Sequence, residues 1–133
     1  MNPVFADTSF YIALLHPRDS LHTRAIAVIQ RLARRIVTTE IVLLEVANYF
    51  RKASVRGSFV QLISEIQSDP ETDVIPCSSD LFMRGVRLFA NRLDKDWSLT
   101  DCVSFIVMTD RKLTEALTAD RHFEQAGFLA LLS

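Results

Sequence analysis

Short apolar runs alternate with longer segments of helical periodicity along the chain. A run such as 36–39 is β-branched and too short for a stable helix, so it predicts a strand. The predicted strands are 3–6, 36–39, 73–76, 115–119 and 128–131. The predicted helices are 10–15, 21–35, 40–53, 59–67, 79–93 and 98–112. Strands that alternate with helices predict an α/β fold, in which helices cover both faces of a parallel sheet.

No linker, repeat or shift in composition interrupts this pattern, so residues 1–133 are interpreted as a single domain. Apolar residues make up 49% of the chain and charged residues 23%, as in ordinary globular proteins. No apolar run approaches the roughly 20 residues of a membrane span. No basic region precedes an apolar segment at the start of the chain. We therefore expect neither membrane insertion nor a signal peptide.

Charge and metal-binding residue types narrow the possible functions. Fifteen basic and 16 acidic residues argue against a general nucleic-acid coat, yet a nucleic-acid enzyme with clustered carboxylates remains open. Cys77 and Cys102 fit no metal spacing and are interpreted as free thiols in a reducing cytoplasm. His16, His22 and His122 have no partner at ligand spacing, so zinc is not expected.

Three acidic residues stand where a buried strand ends or a buried helix begins. Asp7 follows the first predicted strand and Asp120 the fourth. Asp101 lies in the first turn of a predicted helix, three residues after Ser98, in the pattern of a capping box. Each of the three also has a purely structural interpretation, because Asp is favoured at helix caps and in turns.

A fourth acidic residue, Glu45, interrupts the apolar segment 41–47. A helix this apolar is expected to be mostly buried, and an unpaired buried carboxylate costs several kcal/mol. The structural alternative is a buried ion pair with Arg51 or Lys52. Glu40 is a weaker candidate, since a negative charge at a helix start is favoured by the dipole.

Taken together, these acids predict a cation site. Ligands bind at the carboxyl ends of parallel strands, where Asp7 and Asp120 would meet if their strands are neighbours. Glu45 and Asp101 can approach from flanking helices. Four adjacent carboxylates repel one another unless protons or a divalent cation neutralise them. Oxygen ligands suit Mg²⁺ or Mn²⁺, and such an ion can activate water to cleave a phosphodiester.

Four motifs cover nearly the whole chain in a characteristic order. They are Val4-Phe5-Ala6-Asp7-Thr8-Ser9, Thr38-Thr39 followed by Val42-Leu43-Leu44-Glu45-Val46, Trp97-Ser98-Leu99-Thr100-Asp101-Cys102, and Leu117-Thr118-Ala119-Asp120-Arg121-His122-Phe123. In these motifs the sequence resembles PIN-domain ribonucleases of the VapC-like toxin type.

The resemblance implies a PIN-like three-layer α/β fold, whose five-stranded parallel sheet has the order 3-2-1-4-5 with helices on both faces. It also implies an endoribonuclease that depends on Mg²⁺ or Mn²⁺ and hydrolyses RNA with metal-activated water, without a covalent enzyme intermediate. The implied catalytic and metal-binding residues are Asp7, Glu45, Asp101 and Asp120. The implied supporting residues are Thr8, Ser9 and Thr118. Asp96 either joins them or is simply solvated.

The same resemblance implies an RNA substrate, a homodimer, a cognate antitoxin and a cytoplasmic location. Apolar surface on helices 21–35 and 59–67 is expected to pair two copies. Two alternatives remain open, namely a catalytically silent module that binds RNA or a protein, and an RNA-processing nuclease without a toxin role. A receiver-type phosphoacceptor domain is disfavoured, because the third predicted strand ends in Pro76-Cys77 without an acid.

Overall fold

The computed structural model describes residues 2–133, which form five strands and seven helices. The strands are β1 (Val4–Ala6), β2 (Ile36–Thr39), β3 (Thr72–Ile75), β4 (Glu115–Leu117) and β5 (Leu129–Ala130). The helices are α1 (Thr8–Leu15), α2 (His22–Arg31), α3 (Glu40–Tyr49), α4 (Arg56–Ser68), α5 (Ser79–Asn91), α6 (Leu99–Asp110) and α7 (Arg121–Gln125). All strand pairs are parallel, in the order β3-β2-β1-β4-β5. The predicted α/β fold and strand order are confirmed.

The central strand β1 positions the candidate site. Val4, Phe5 and Ala6 are fully buried although successive side chains point to opposite faces of the sheet, so helices cover both faces. Ala6 pairs with Leu117 of β4, so the residues that follow β1 and β4 emerge side by side. The carboxyl ends of two neighbouring strands therefore form one edge of the sheet.

Close packing of α5 against α6 depends on one glycine. A Cβ atom added at Gly85 would lie 2.5 Å from a methyl group of Val103, well inside van der Waals contact. Any larger residue at this position would push α5 away from α6. Since α6 carries Asp101 in its first turn, this contact also holds one wall of the candidate site in place.

Two predicted helices end earlier than their apolar pattern suggested. The helix predicted for 21–35 stops at Arg31, because the next residues run extended into β2. The Arg34 guanidinium, beyond this end, pairs with Glu115 of β4, which stabilises the non-helical segment. The helix predicted for 40–53 stops at Tyr49, where Phe50 turns into the core.

Sequence periodicity did not reveal the short helix α7, because five residues are too few for a helical pattern. Its first turn is capped by Asp120, whose side chain accepts a hydrogen bond from the backbone N–H of His122 at 2.9 Å. This local bond is the physical reason for a helix at this position. The helix carries His122 to the carboxyl edge of the sheet.

Large exposed apolar side chains lie on several elements, α5 among them, but not on α2 in the described part of the chain. The apolar face of α2 packs against the core, and α2 contributes no large exposed apolar side chain among the described residues. The expected apolar surface on helix 21–35 is limited to partly buried side chains such as Val28 and Ile29, whereas Val60 of α4 is exposed; the pairing of two copies stays a prediction. On α5 and just after it, four large side chains are exposed. They are Phe82, Met83, Phe89 and Leu93.

Two further expectations concern cysteines and membranes. Cys77 is exposed and Cys102 is buried, and both are free thiols, as predicted. Within residues 2–133, every helix is too short or too polar to cross a lipid bilayer.

Candidate active site

A cleft of about 360 Å³ opens beside the carboxyl ends of β1 and β4. Its walls come from α1, α3, the loop before α6, α6 itself and α7. The lining residues are Asp7, Thr8, Ser9, Ile12, Glu45, Asp96, Ser98, Asp101, Asp120 and His122. The structure thus brings all four acids singled out in the sequence to one cleft, because β1 and β4 are neighbours.

Asp7 occupies the N-cap position of α1, but its side chain makes no capping hydrogen bond. Its Oδ2 atom instead accepts hydrogen bonds from the hydroxyls of Ser9 at 3.0 Å and Thr118 at 2.9 Å. Burial raises the pKa of Asp7 to about 6, although these hydrogen bonds act in the opposite direction. Asp7 therefore has the predicted cap position but not the capping hydrogen bond, and its buried carboxyl lines the cleft.

Two threonines surround this carboxyl in different ways. The hydroxyl of Thr118, besides donating to Asp7, accepts a hydrogen bond from the backbone N–H of Asp120 at 3.0 Å. The buried hydroxyl of Thr8 has no hydrogen-bond partner anywhere in residues 2–133. A buried hydroxyl without a partner is unfavourable, so a ligand or a water molecule in the cleft would stabilise it.

Asp101 is held by a capping box at the start of α6. Its Oδ2 atom accepts a hydrogen bond from the Ser98 backbone N–H at 3.1 Å, and the Ser98 hydroxyl accepts one from the Asp101 backbone at 3.0 Å. The predicted capping role is confirmed, and the same carboxyl also lines the cleft. Burial raises the pKa of Asp101, and the charge of Asp120 acts in the same direction.

The imidazole of His122 lies between two of the acids. Its Nδ1 atom is 3.2 Å from Oδ2 of Asp101 and 3.3 Å from Oδ1 of Asp120. One ligand atom from each of these residues lies within 4.8 Å of the other two. His122 thus has two carboxylate partners in space, although it has none at ligand spacing in the sequence. The signal was its position two residues after an acid at a strand end, since the contact with Asp101 is invisible in local spacing.

Glu45 lines the cleft from α3, where its side chain is exposed. Its neighbour Leu44 is 61% exposed, so α3 is only half buried despite its apolar sequence. The expectation of a buried carboxylate is wrong, because α3 lies at the surface beside α4. Neither Arg51 nor Lys52 forms an ion pair with Glu45 in the part of the chain that the structure describes.

Asp96 is exposed at the rim of the same cleft. Asp94, two residues earlier, forms an ion pair with Arg92 at 2.9 Å, so the Asp94 carboxylate is engaged by a basic side chain. Asp96 therefore adds negative charge at the entrance rather than within the group of buried carboxyls.

Trp97 anchors the loop that precedes α6, a role that the sequence pattern did not indicate. The buried indole packs edge-on against Phe105 with ring centroids 5.0 Å apart, and Arg92 lies 4.6 Å above its ring. The indole N–H donates a hydrogen bond to Oε1 of Gln125 at 3.1 Å. This bond links the loop to α7, so it helps to hold Asp101 beside the residues at the start of α7.

A family model described as PIN domain matches residues 4–129. A search among curated proteins finds no match to the sequence. The structure is similar to the crystal structure of VapC20 from Mycobacterium tuberculosis, described as a sarcin-ricin loop cleaving toxin. The TM-score is 0.86 at 24% identity, and the alignment covers 95% of this chain and 96% of VapC20, so the two share a fold.

Proposed function

The chain belongs to the PIN domain family, and from this premise we propose that it is an endoribonuclease that hydrolyses RNA phosphodiester bonds with the help of Mg²⁺ or Mn²⁺. One observation carries the proposal, namely that the carboxyls of Asp7, Asp101 and Asp120 converge on a single cleft at the carboxyl ends of two neighbouring strands. Glu45 faces them from α3. Ligands of open parallel sheets bind at such an edge.

The residues of the cleft fit a divalent cation. No Lys or Arg forms an ion pair with Asp7, Glu45, Asp101 or Asp120 among residues 2–133, so no permanently charged cation neutralises them. The unpartnered hydroxyl of Thr8 supplies a further oxygen. Hard oxygen donors suit Mg²⁺ and Mn²⁺. When bound, such an ion lowers the pKa of a coordinated water and stabilises negative charge on phosphate oxygens.

The protein's own contribution is to hold these carboxyls rigidly. Hydroxyls of Ser9 and Thr118 orient Asp7, and the capping box with Ser98 orients Asp101. Such supporting hydrogen bonds keep metal ligands in position and are often worth 10- to 100-fold, roughly, in metal affinity. The exposed carboxylate of Glu45 is free to accept a hydrogen bond from the attacking water. This arrangement would support direct attack of water on the phosphate, without the covalent enzyme intermediate that the family resemblance also excludes.

The test is cleavage of a structured RNA by the purified protein in Mn²⁺, in Mg²⁺ and in EDTA. We expect cleavage with a metal and none in the chelator. Asp7→Asn and Asp101→Asn should lower the rate by roughly 100-fold or more while circular dichroism stays unchanged. Glu65→Gln, which changes an exposed acid on α4, is the matched control and should retain activity.

Binding of RNA without cleavage in any divalent metal would contradict the proposal and support the alternative of a catalytically silent binding module. A rate that is the same in EDTA and in Mn²⁺ would contradict metal dependence. Neither result would affect the assignment to the PIN domain family, which rests on the sequence match.

We also propose that the protein is the toxin of a toxin–antitoxin pair, acting in the cytoplasm as a homodimer and neutralised by a cognate antitoxin. The likeness to VapC20, described as a toxin that cleaves the sarcin-ricin loop, supports this role. Induced expression in a bacterial host should stop growth, whereas the Asp7→Asn variant should not. Normal growth with an active nuclease in the cells would favour the second candidate, an RNA-processing enzyme.

A further inference from the structure

A cation site made only of carboxylates does not explain why His122 lies between two of the acids. The Nδ1 atom of His122 approaches two carboxylate oxygens almost equally, at 3.2 Å from Asp101 and 3.3 Å from Asp120. The His122 side chain is 22% exposed, so it is partly shielded from solvent. The backbone N–H of His122 donates to the same Asp120 oxygen at 2.9 Å, which accounts for the Asp120 contact, whereas the contact with Asp101 on another helix is not required by the local chain geometry.

The separations match those between neighbouring ligands of one metal ion. An octahedral cation with ligands at about 2.1 Å places adjacent ligands about 3 Å apart. The Nδ1 atom lies at about this spacing from each of the two carboxylate oxygens, and the three residues each offer a ligand atom within 4.8 Å of the other two. Small side-chain rotations would therefore allow all three to contact the same ion.

A second observation, independent of this cluster, points to a ligand in the same cleft. The hydroxyl of Thr8 is buried, lines the cleft and lacks a hydrogen-bond partner within residues 2–133. Thr8 is only 7% exposed, so bulk water does not readily satisfy this group. A hydrated ion held by the neighbouring carboxyls would supply the missing partner.

From this geometry we propose that Nδ1 of His122 is a direct ligand of the divalent cation, together with Asp101 and Asp120, and that the site therefore prefers Mn²⁺ to Mg²⁺. The proposal rests on the metal site of the proposed function and specifies its ligands. Imidazole nitrogen binds transition-metal ions well, whereas Mg²⁺ favours oxygen ligands alone. His122 thus determines the choice of metal.

The competing explanation is that His122 only donates a hydrogen bond to the two carboxylates and leaves when a cation arrives. His122→Asn separates the two explanations, because an amide nitrogen can donate a similar hydrogen bond but is a poor metal ligand. His122→Ala removes both properties. His16→Asn changes a histidine outside the cleft and serves as the matched control.

The experiment uses the full chain, stripped of metal and then titrated with Mn²⁺ while free Mn²⁺ is measured by electron paramagnetic resonance. Mg²⁺ affinity is measured by competition. We expect both His122 variants to bind Mn²⁺ about 10-fold more weakly, with a smaller change for Mg²⁺. In pulsed spectra, ¹⁴N coupling to Mn²⁺ should be present in the unsubstituted protein and in His16→Asn, and absent in both His122 variants.

Unchanged or tighter Mn²⁺ binding in His122→Ala, or an absence of ¹⁴N coupling in the unsubstituted protein, would overturn the proposal. Its failure is separable from failure of the proposed function. Metal-dependent RNA cleavage without ¹⁴N coupling would leave the nuclease intact and eliminate His122 as a ligand. Conversely, ¹⁴N coupling in a protein that cleaves no RNA would support the metal site and contradict the nuclease.

Discussion

The Oδ2 atom of Asp7 lies 2.9 Å from the hydroxyl of Thr118, 111 positions later in the sequence. The two residues follow β1 and β4, and the pairing of Ala6 with Leu117 places them side by side. Both side chains are buried. The pairing of β1 with β4 therefore fixes the hydroxyl of Thr118 beside the carboxyl of Asp7, and the hydrogen bond between them holds that carboxyl in place.

Asp7→Asn is expected to stabilise the metal-free protein at neutral pH. The carboxyl has a pKa of about 6 in the fold against an ordinary value of 3.8, so the protonated form is favoured on folding. The cost of ionising it is absent below about pH 4, grows as the pH rises towards 6 and is complete above that. The free energy of unfolding should rise by up to about 3 kcal/mol at pH 7.5 in EDTA.

Denaturant unfolding at pH 7.5 and at pH 4 checks this prediction, and the gain should vanish at the lower pH. Asp110→Asn is the control of opposite sign, because the Arg84 side chain holds the pKa of Asp110 below its usual range. That substitution should destabilise the protein at pH 7.5. A loss of stability in Asp7→Asn at pH 7.5 would contradict the argument from burial.

Thr118→Val is expected to destabilise the protein and to lower nuclease activity together. Valine has nearly the same shape as threonine but leaves the backbone N–H of Asp120 without its acceptor and the carboxyl of Asp7 with only the Ser9 hydroxyl as a donor. The free energy of unfolding should fall by about 1–3 kcal/mol. Thr118→Ser keeps the hydroxyl, so its nuclease activity should stay close to that of the unsubstituted protein even if its free energy of unfolding falls. Equal activity in the valine and serine variants would argue against an orienting role.

Glu45→Gln is expected to leave the thermal stability of the metal-free protein unchanged or slightly higher. The carboxylate is exposed and has no basic partner among the described residues, so its removal only reduces repulsion near Asp7 and Asp101. Metal-dependent RNA cleavage should fall, with Glu65→Gln as the control on α4. A large drop in melting temperature would instead indicate that Glu45 has a structural partner.

Trp97 and Gln125 are expected to be energetically coupled. In a double-mutant cycle, Trp97→Phe removes the indole N–H and Gln125→Ala removes its acceptor, so the second change should cost less after the first. A coupling of about 1 kcal/mol in the free energy of unfolding is expected for one such hydrogen bond. Additive effects, measured by denaturant unfolding, would mean that this bond does not tie the loop before α6 to α7.

Local patterns in the sequence determined the fold class and most of the candidate site. Strand and helix periodicity are properties of short segments, so the α/β alternation is readable without knowledge of distant contacts. Asp7 stands directly after β1, Asp120 three residues after the end of β4, and Asp101 in a capping box, so each was visible in its own segment. The resemblance to PIN-domain ribonucleases supplied the strand order, which periodicity alone does not contain.

Only the tertiary structure decided how these segments pack. The exposure of Glu45 depends on α3 lying at the surface, which its apolar sequence does not reveal. The place of His122 beside Asp101 depends on contact between α6 and α7 across 21 residues. The burial of a side chain and its distance from other charges depend on which residues surround it in space. The packing of the whole chain determines those neighbours. Sequence therefore identified the acids, and the fold added the histidine between them.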